Sequence, residues 1–295
     1  MSDRTGIEWA DATWNPIYGC TKVSAGCDNC YAVTATARLE GRHPDKFQGL
    51  TKGGEWTNSV QCLSARLEQP ARWREEKVIF VNSLSDLFHP GVSYEFICDV
   101  LDVMTTQDRH QYLILTKRPR RMLSILKELR REYEDNRARD DWFRDWMNPA
   151  ASNIFWGVSI ESDKYVRRAD ALRKTPVTNR FLSLEPLLGP LPSLNLDGID
   201  WVIVGGESGP KARPMHPAWA RDIRDRCDAT GIPFFFKQWG EWVPEALGGR
   251  AAGTVLVPSL TEDDPDIHML RVGRRDAGRL LDGRTHDEQP VMPTY

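Results

Sequence analysis

Short, nearly unbroken apolar runs recur along the chain, and each ends on polar residues. They read VIFVNS (78–83), YLILTK (112–117), IFWGVSI (154–160), RFLSLE (180–185), WVIVGGE (201–207) and PFFFKQ (233–238). A strand with one solvated face alternates apolar and polar positions, so runs without alternation predict strands covered on both faces, as in parallel sheets. The segments between them carry helical periodicity. Tyr94, Ile97, Cys98, Leu101 and Met104 form one stripe, and Met122, Ile125, Leu126 and Leu129 a second. Tyr165, Ala169 and Leu172 make a third, and Trp219, Ile223 and Cys227 a fourth. Strand and helix alternating in this way predict right-handed βαβ units. One further strand is expected within residues 7–18. The predicted fold is therefore α/β: a partial or complete parallel (β/α) barrel of about six to seven strands over residues 1–239. Residues 40–62 predict a long polar loop over one end, and residues 240–295 an irregular C-terminal extension packed on the barrel.

Composition narrows the class. The 295 residues are 40% hydrophobic and 27% charged, within the globular range. With 39 basic and 42 acidic side chains the net charge is −3, so any contact with nucleic acid is expected to be local. No run approaches the roughly 20 apolar residues of a membrane helix. The N-terminal stretch MSDRTGIEWADATWNP lacks the apolar core of a secretory signal. A cytoplasmic protein with no membrane association is expected, in a reducing compartment where clustered cysteines bind metal more often than they pair.

The strand ends carry the candidate chemistry. Asn82 and Ser83 close the first run, Thr116, Lys117 and Arg118 the second, Ser159 and Glu161 the third. Glu185 closes the fourth, Gly205, Gly206 and Glu207 the fifth, Lys237 and Gln238 the sixth. In parallel barrels these ends converge on one face, where ligands bind. Strands reaching solvent must end in something polar, which accounts for an occasional serine. It accounts less well for Glu185, Glu207 and Lys237, each continuous with a buried run, where an ionised group needs a partner.

The stretch IYGCTKVSAGCDNCYA, residues 17–32, places Cys20, Cys27 and Cys30 just past the first expected strand, spaced C-x6-C-x2-C. The C-x2-C half is a common metal hook. Gly19 and Gly26 offer the φ > 0 freedom a wrapping loop needs, and Asp28 or Asn29 can begin a helix near Tyr31 whose positive end favours thiolate. A disulfide leaves one cysteine over. Zinc needs a fourth ligand, for which His43 is the nearest histidine, and three merely packed cysteines seldom cluster with two glycines. A [4Fe–4S] cluster on three thiolates, with its fourth iron open to a small molecule, explains the missing ligand most directly. Cys98 and Cys227 fall on apolar helix stripes and read as core; Cys62 reads as structural.

Three cysteines after the first strand, Tyr31 directly after the last, and a partial α/β barrel resemble the radical S-adenosylmethionine superfamily. More closely, the chain resembles a phage-associated and bacterial family of radical-SAM-like character. The landmarks are TWNPIYGCTKVSAGCDNCYA, FVNSLSDLF, LILTKRP, WGVSIES, RFLSLEPLLGPL, WVIVGGESGP, FFFKQWG and VGRRDAGRLLDGR, spread over residues 13–284. One departure stands out: the usual spacing is C-x3-C-x2-C, so Cys20 must reach the cluster from a longer loop. The resemblance implies an enzyme that uses a [4Fe–4S] cluster and S-adenosylmethionine, with an electron donor such as flavodoxin or ferredoxin. The cofactor would be cleaved to methionine and a 5′-deoxyadenosyl radical that abstracts hydrogen from substrate. By position it implies that Tyr31 and the segment Ser83, Ser85 and Asp86 meet the cofactor, the latter at its methionine amino group. Ser159, Glu161 and Glu185 would hold its ribose and carboxylate. Thr116, Lys117, Arg118, Glu207 and Lys237 are the substrate candidates, with Arg118 or Lys237 facing a carboxylate or phosphate.

Basic residues cluster in TKRPRR (116–121) and RVGRRDAGR (271–279), either as solvated faces or as a grip on phosphates. Trp56, Trp239 and Trp242 offer stacking surfaces or core packing. The phage association, and a likeness to DNA-lesion lyases, point toward a nucleic acid or nucleotide substrate. The rival reading is a non-catalytic barrel stabilised by zinc or an iron–sulfur cluster, acting as a phage interaction protein.

Overall fold

The computed structural model describes residues 5–136, 153–261 and 264–291. Its centre is one sheet of seven strands: β1 (Ala12–Trp14), β2 (Val78–Val81), β3 (Gln111–Thr116), β4 (Ile154–Ser159), β5 (Asn179–Leu184), β6 (Trp201–Gly205) and β7 (Phe234–Gln238). They lie in sequence order with every pairing parallel, a curled half-barrel whose edges are β1 and β7. Helices α1 (Tyr31–Arg42), α2 (Tyr94–Thr106), α3 (Pro119–Asn136), α4 (Arg167–Arg173) and α5 (Pro217–Thr230) flank it. Among the described residues no helix is long and apolar enough to cross a membrane.

The unbroken apolar runs are explained by two cores, one on each face of the sheet. Successive strand residues point to opposite faces. Ile79, Val81, Tyr112, Ile114, Trp156, Val158, Leu182, Val204 and Phe236 pack outward against the apolar stripes of α2, α3 and α5. Phe80, Leu113, Phe155, Phe181, Trp201, Ile203 and Phe235 point inward with Trp9 and fill the half-barrel. Register holds this inner layer together: Phe80 lies beside Leu113, Leu113 beside Phe155, and Phe181 beside Trp201. Gly157 makes room for it, since a Cβ there would meet the Phe181 ring at 2.3 Å. Each such aromatic or aliphatic side chain contributes roughly 1.5–3 kcal/mol by leaving water. Two residues further along β5 and β7 the same inward direction places Ser183 and Lys237 above this apolar floor.

Helix ends follow from local sequence. Ser93 caps α2, its hydroxyl accepting from the Phe96 N–H at 3.2 Å. His216 caps α5 ahead of Pro217, and Gly231 ends it in the left-handed conformation at φ 68°.

The loop expected over residues 40–62 contains two short antiparallel pairings, Thr51–Lys52 with Glu55–Trp56 and Gln61–Cys62 with Ile17–Tyr18. Beyond β7, short strands β8 (Trp242–Pro244), β9 (Thr254–Val257) and β10 (Ile267–Arg271) form an antiparallel sheet in the order β8-β10-β9, followed by the helical turn α6 (Arg274–Ala277). Val243, Met269, Leu270 and Leu281 of this extension join the outer core.

Candidate active site

A cavity of about 330 Å³ lies above the inner apolar layer, at the carboxyl ends of the strands. Phe80 and Trp9 line its floor; Cys20, Cys27 and Cys30 all line its wall. Tyr31, Ser83, Ser85, Asp86, Thr116, Lys117, Arg118, Ser159, Glu185 and Lys237 line it as well. Of the candidate metal, cofactor and substrate residues, Glu161 and Glu207 do not line it, and both contact the cysteine loop.

That loop is braced by three carboxylate–arginine pairs, each rooted at a different strand end. Past β2, Asp86 accepts from the Thr116 hydroxyl (2.7 Å), the Phe88 and Lys117 N–H groups (3.0 and 3.2 Å) and Arg118 Nη1 (2.8 Å). Arg118 also donates from Nη1 to Cys20 Sγ at 3.6 Å and from Nη2 to the Thr21 carbonyl at 2.9 Å. Past β4, the fully buried Glu161 pairs with Arg168 at 2.8 Å and accepts from the Gly26 N–H at 3.4 Å. Past β6, Glu207 accepts from Arg213 at Nε (2.9 Å), Nη2 (2.6 Å) and its backbone N–H (2.8 Å), and from Asn29 Nδ2 at 3.0 Å. Arg213 Nη2 also donates to the Ala25 carbonyl at 2.8 Å. Burial works to raise the Glu207 carboxyl, but the hydrogen bonds from Arg213 and Asn29 outweigh it and hold the group below its ordinary value.

The two glycines of the loop differ: Gly19 is required, and Gly26 is closely packed. Gly19 has φ 87°, and a Cβ there would lie 2.2 Å from the Ser59 carbonyl oxygen. Gly26 has ordinary backbone; it is small because a Cβ would press on the Glu161 side chain at 3.3 Å. The expected cap at Asp28 or Asn29 is not the one found. Cys30 is the N-cap of α1, with extended backbone, and so sits at the positive end of the helix; Asn29 is spent on Glu207 and the Lys211 carbonyl. Burial pushes the Cys20 thiol up to about 11, with Asp86 adding to the rise and Arg118 opposing it; burial raises Cys30 too. At neutral pH these thiols hold their protons, so a metal centre binding here would release them.

Several candidates serve the frame around the cavity. The Tyr31 hydroxyl donates to the Ser83 carbonyl at 2.7 Å, and the Ser85 hydroxyl to the Ile17 carbonyl at 2.8 Å. Ser83 exchanges hydrogen bonds with the Asn15 amide. Lys237 Nζ meets Glu185 Oε1 at 3.1 Å, with the Ser183 hydroxyl on the other carboxylate oxygen at 3.3 Å. Trp239 and Trp242 are held through their indole N–H groups on the Leu280 and Ala212 carbonyls, whereas Trp56 lines the cavity. Cys62 is exposed and paired in the short strand opposite Ile17, and Cys227 is core.

Ser183 and Ser208 line the cavity without being singled out from sequence, whereas Asn82 and Gln238 are strand-end residues to which the sequence assigns no specific role. Ser183 follows the inward alternation of β5, and Gln238 ends β7. Asn82 is 3% exposed at φ 61°, and among the described residues neither of its side-chain amide atoms has a hydrogen-bond partner. An asparagine closing a buried run was the available signal, since a non-glycine residue at positive φ marks strain that surroundings must maintain.

Over residues 4–290 the chain matches the family described as Protein of unknown function (DUF5131). The chain belongs to this family. No curated protein matches it. Among solved structures it is similar to a cysteine-to-serine mutant of spore photoproduct lyase, at 14% identity and a TM-score of 0.41, covering 91% of this chain and 70% of that one. A cysteine-to-alanine mutant of the same protein with dinucleoside spore photoproduct matches at 11% identity and a TM-score of 0.39, covering 89% and 69%. Likeness at this level specifies neither activity nor substrate.

Proposed function

We propose that this DUF5131 protein is an iron–sulfur radical enzyme in which Cys20, Cys27 and Cys30 hold a [4Fe–4S] cluster beside a site for S-adenosylmethionine. The observation that carries the reading is that all three cysteines of one loop open onto a single cavity at the carboxyl ends of parallel strands. Among the described residues no three His, Cys, Asp or Glu side chains stand close enough to share one metal ion. A cubane takes three thiolates on three separate irons, and that is the role this reading gives to the three cysteines lining one cavity. When bound, the cluster supplies one electron to the sulfonium of S-adenosylmethionine, releasing a hydrogen-abstracting radical.

The chain's own residues hold, orient and shield. Asp86, Glu161 and Glu207, with their arginines, fix the cysteine loop; Thr116 supports Asp86. Ser159 and Glu185 face the cavity as partners for ribose hydroxyls, and Lys117 and Lys237 as partners for a carboxylate or phosphate. The apolar floor of Phe80 and Trp9 keeps water from the reacting end. Substrate is a nucleotide or nucleic acid in this reading. A second opening of about 460 Å³ adjoins the first at Lys237, Gln238 and Arg274, and adds Glu8, Arg275 and Arg279; Arg274 pairs with Glu8 and Arg279 with Asp287. The motif RVGRRDAGR thus stands where a phosphate could enter. The protein works in the cytoplasm with flavodoxin or ferredoxin as its electron donor.

The rival role as a metal-stabilised interaction protein draws on exposed Val255, Leu256 and Leu260 in and just beyond β9. One experiment separates the two. Anaerobically reconstituted protein is expected to bind about four irons with matching sulfide and, with dithionite, to turn S-adenosylmethionine into 5′-deoxyadenosine. Cys20→Ala, Cys27→Ala and Cys30→Ala should each abolish this. Tightly held zinc without cofactor cleavage would leave the interaction role.

A further inference from the structure

The three braces of the cysteine loop are not equivalent. Arg168 reaches the loop only through Glu161 and the Gly26 N–H, and Arg213 through Glu207 and Asn29, the Ala25 carbonyl and the Asp28 carboxylate at 3.6 Å. Of the three arginines, Arg118 alone donates to a cysteine sulfur, at 3.6 Å from Cys20. Cys20 is also the cysteine that the six-residue gap sets apart, anchored on the far side by the bridge between Gly19 and Ser85. Arg118 grips its neighbour Thr21 as well, whose hydroxyl lies 2.6 Å from His89 Nε2. The Arg118 and Asp86 side chains are only 10% and 6% exposed, so the N–H···S contact sits where water screens little. To bind a substrate phosphate, Arg118 would have to leave Asp86, Cys20 and Thr21 together.

We infer that Arg118 is a positioning residue: it docks the distant first cysteine of the C-x6-C-x2-C motif, and its N–H at the sulfur raises the reduction potential of the cluster held there. An N–H donor aimed at the sulfur favours the more negative, reduced cluster, and Asp86 orients the fork. A lysine retains the charge against Asp86 but cannot serve carboxylate, sulfur and carbonyl from one planar fork.

This inference rests on the cluster reading above, and the test separates the two. Cluster-loaded wild type, Arg118→Lys, Arg118→Gln and Arg213→Lys are compared by iron and sulfide content, by EPR, and by redox titration followed by EPR. Arg118→Lys should keep its fold and cluster, while the reduced-to-oxidised ratio at a fixed solution potential falls at least about threefold and the EPR g-values move. Arg118→Gln should retain less than about half of the wild-type iron. Arg213→Lys should titrate as wild type. If Arg118→Gln fails to fold, the double variant Asp86→Asn with Arg118→Gln, which leaves no lone buried charge, takes its place. A wild-type cluster whose potential and spectrum are unchanged in Arg118→Lys, or shift equally in Arg213→Lys, overturns the inference alone. Wild type that binds no cluster overturns both.

Discussion

Glu185 at the end of β5 and Lys237 on β7 meet at 3.1 Å across the end of the strand that separates them, β6. Gly205 makes the crossing possible, because a Cβ there would stand 2.7 Å from Glu185 Oε1. The pair is an ion pair that lines the cavity, with side chains 14% and 18% exposed.

Gly205→Ala should therefore act on function more than on folding. The added methyl meets the movable end of a side chain, so Glu185 swings away from Lys237 while the backbone stays. Expected are a melting temperature within a few degrees of wild type and turnover of substrate reduced at least about tenfold. Gly157→Ala is the contrast, since its methyl drives into the Phe181 ring and should cost roughly 1–3 kcal/mol of stability. Thermal melts and turnover on both variants check the pairing of outcomes.

Glu207→Gln should loosen the cysteine loop from its β6 side. The carboxylate takes three hydrogen bonds from Arg213 and one from Asn29, and an amide can neither accept all four nor balance the guanidinium. Arg213 is about one-third exposed, so the cost is expected below that of a fully buried pair, roughly 2–3 kcal/mol. Urea denaturation gives the loss, and faster labelling of Cys27 and Cys30 by a thiol reagent locates it.

The parallel half-barrel was legible in sequence because both cores write themselves into each strand: VIFV and WVIV are apolar at every position since either face is covered. The strand-end rule likewise placed Cys20, Lys117, Glu185 and Lys237 around one cavity. It could not tell a residue that faces the cavity from one that holds its wall. Glu161 and Glu207 follow buried strands just as Glu185 does, and the difference lies in Arg168 and Arg213, whose contacts depend on how α4 and the segment before α5 pack. The basic run TKRPRR was ambiguous in the same way. Arg118 and Arg121 of TKRPRR spend their guanidinium groups on Asp86 and on the His89 and Val92 carbonyls, so only packing shows that they do not face solvent as a patch.

Asn82→Gly should fold and fail to act. Glycine adopts φ 61° without strain, whereas Asn82→Ala keeps a Cβ in the left-handed region without asparagine's tolerance of it. The amide makes no hydrogen bond among the described residues, so its removal forfeits none in the free protein. Its upkeep is explained if ligand binding engages it. The glycine variant is expected to melt close to wild type yet bind S-adenosylmethionine or substrate at least about tenfold more weakly, as equilibrium dialysis would show.

The C-terminal extension should make stability depend on acid through Asp282. Arg221 and Arg224 of α5 both pair with it, Arg221 at 2.7 Å, and their hydrogen bonds hold its carboxyl down from 3.8 to about 2. A carboxyl whose folded value is depressed favours the folded state above its unfolded value, and that contribution disappears as pH falls from about 4 through about 2. Its side chain is 37% exposed, so solvent screening keeps the contribution at or below about 1 kcal/mol. Asp282→Asn removes the titration and keeps a residue tolerant of φ 52°. The variant should be less stable than wild type near neutrality, and the gap should close below about pH 2. Urea melts of both proteins across that range isolate the effect, because every other carboxyl titrates equally in the two; a gap that stays constant down to the acid limit would mean that Asp282 does not tie the extension to α5 by charge.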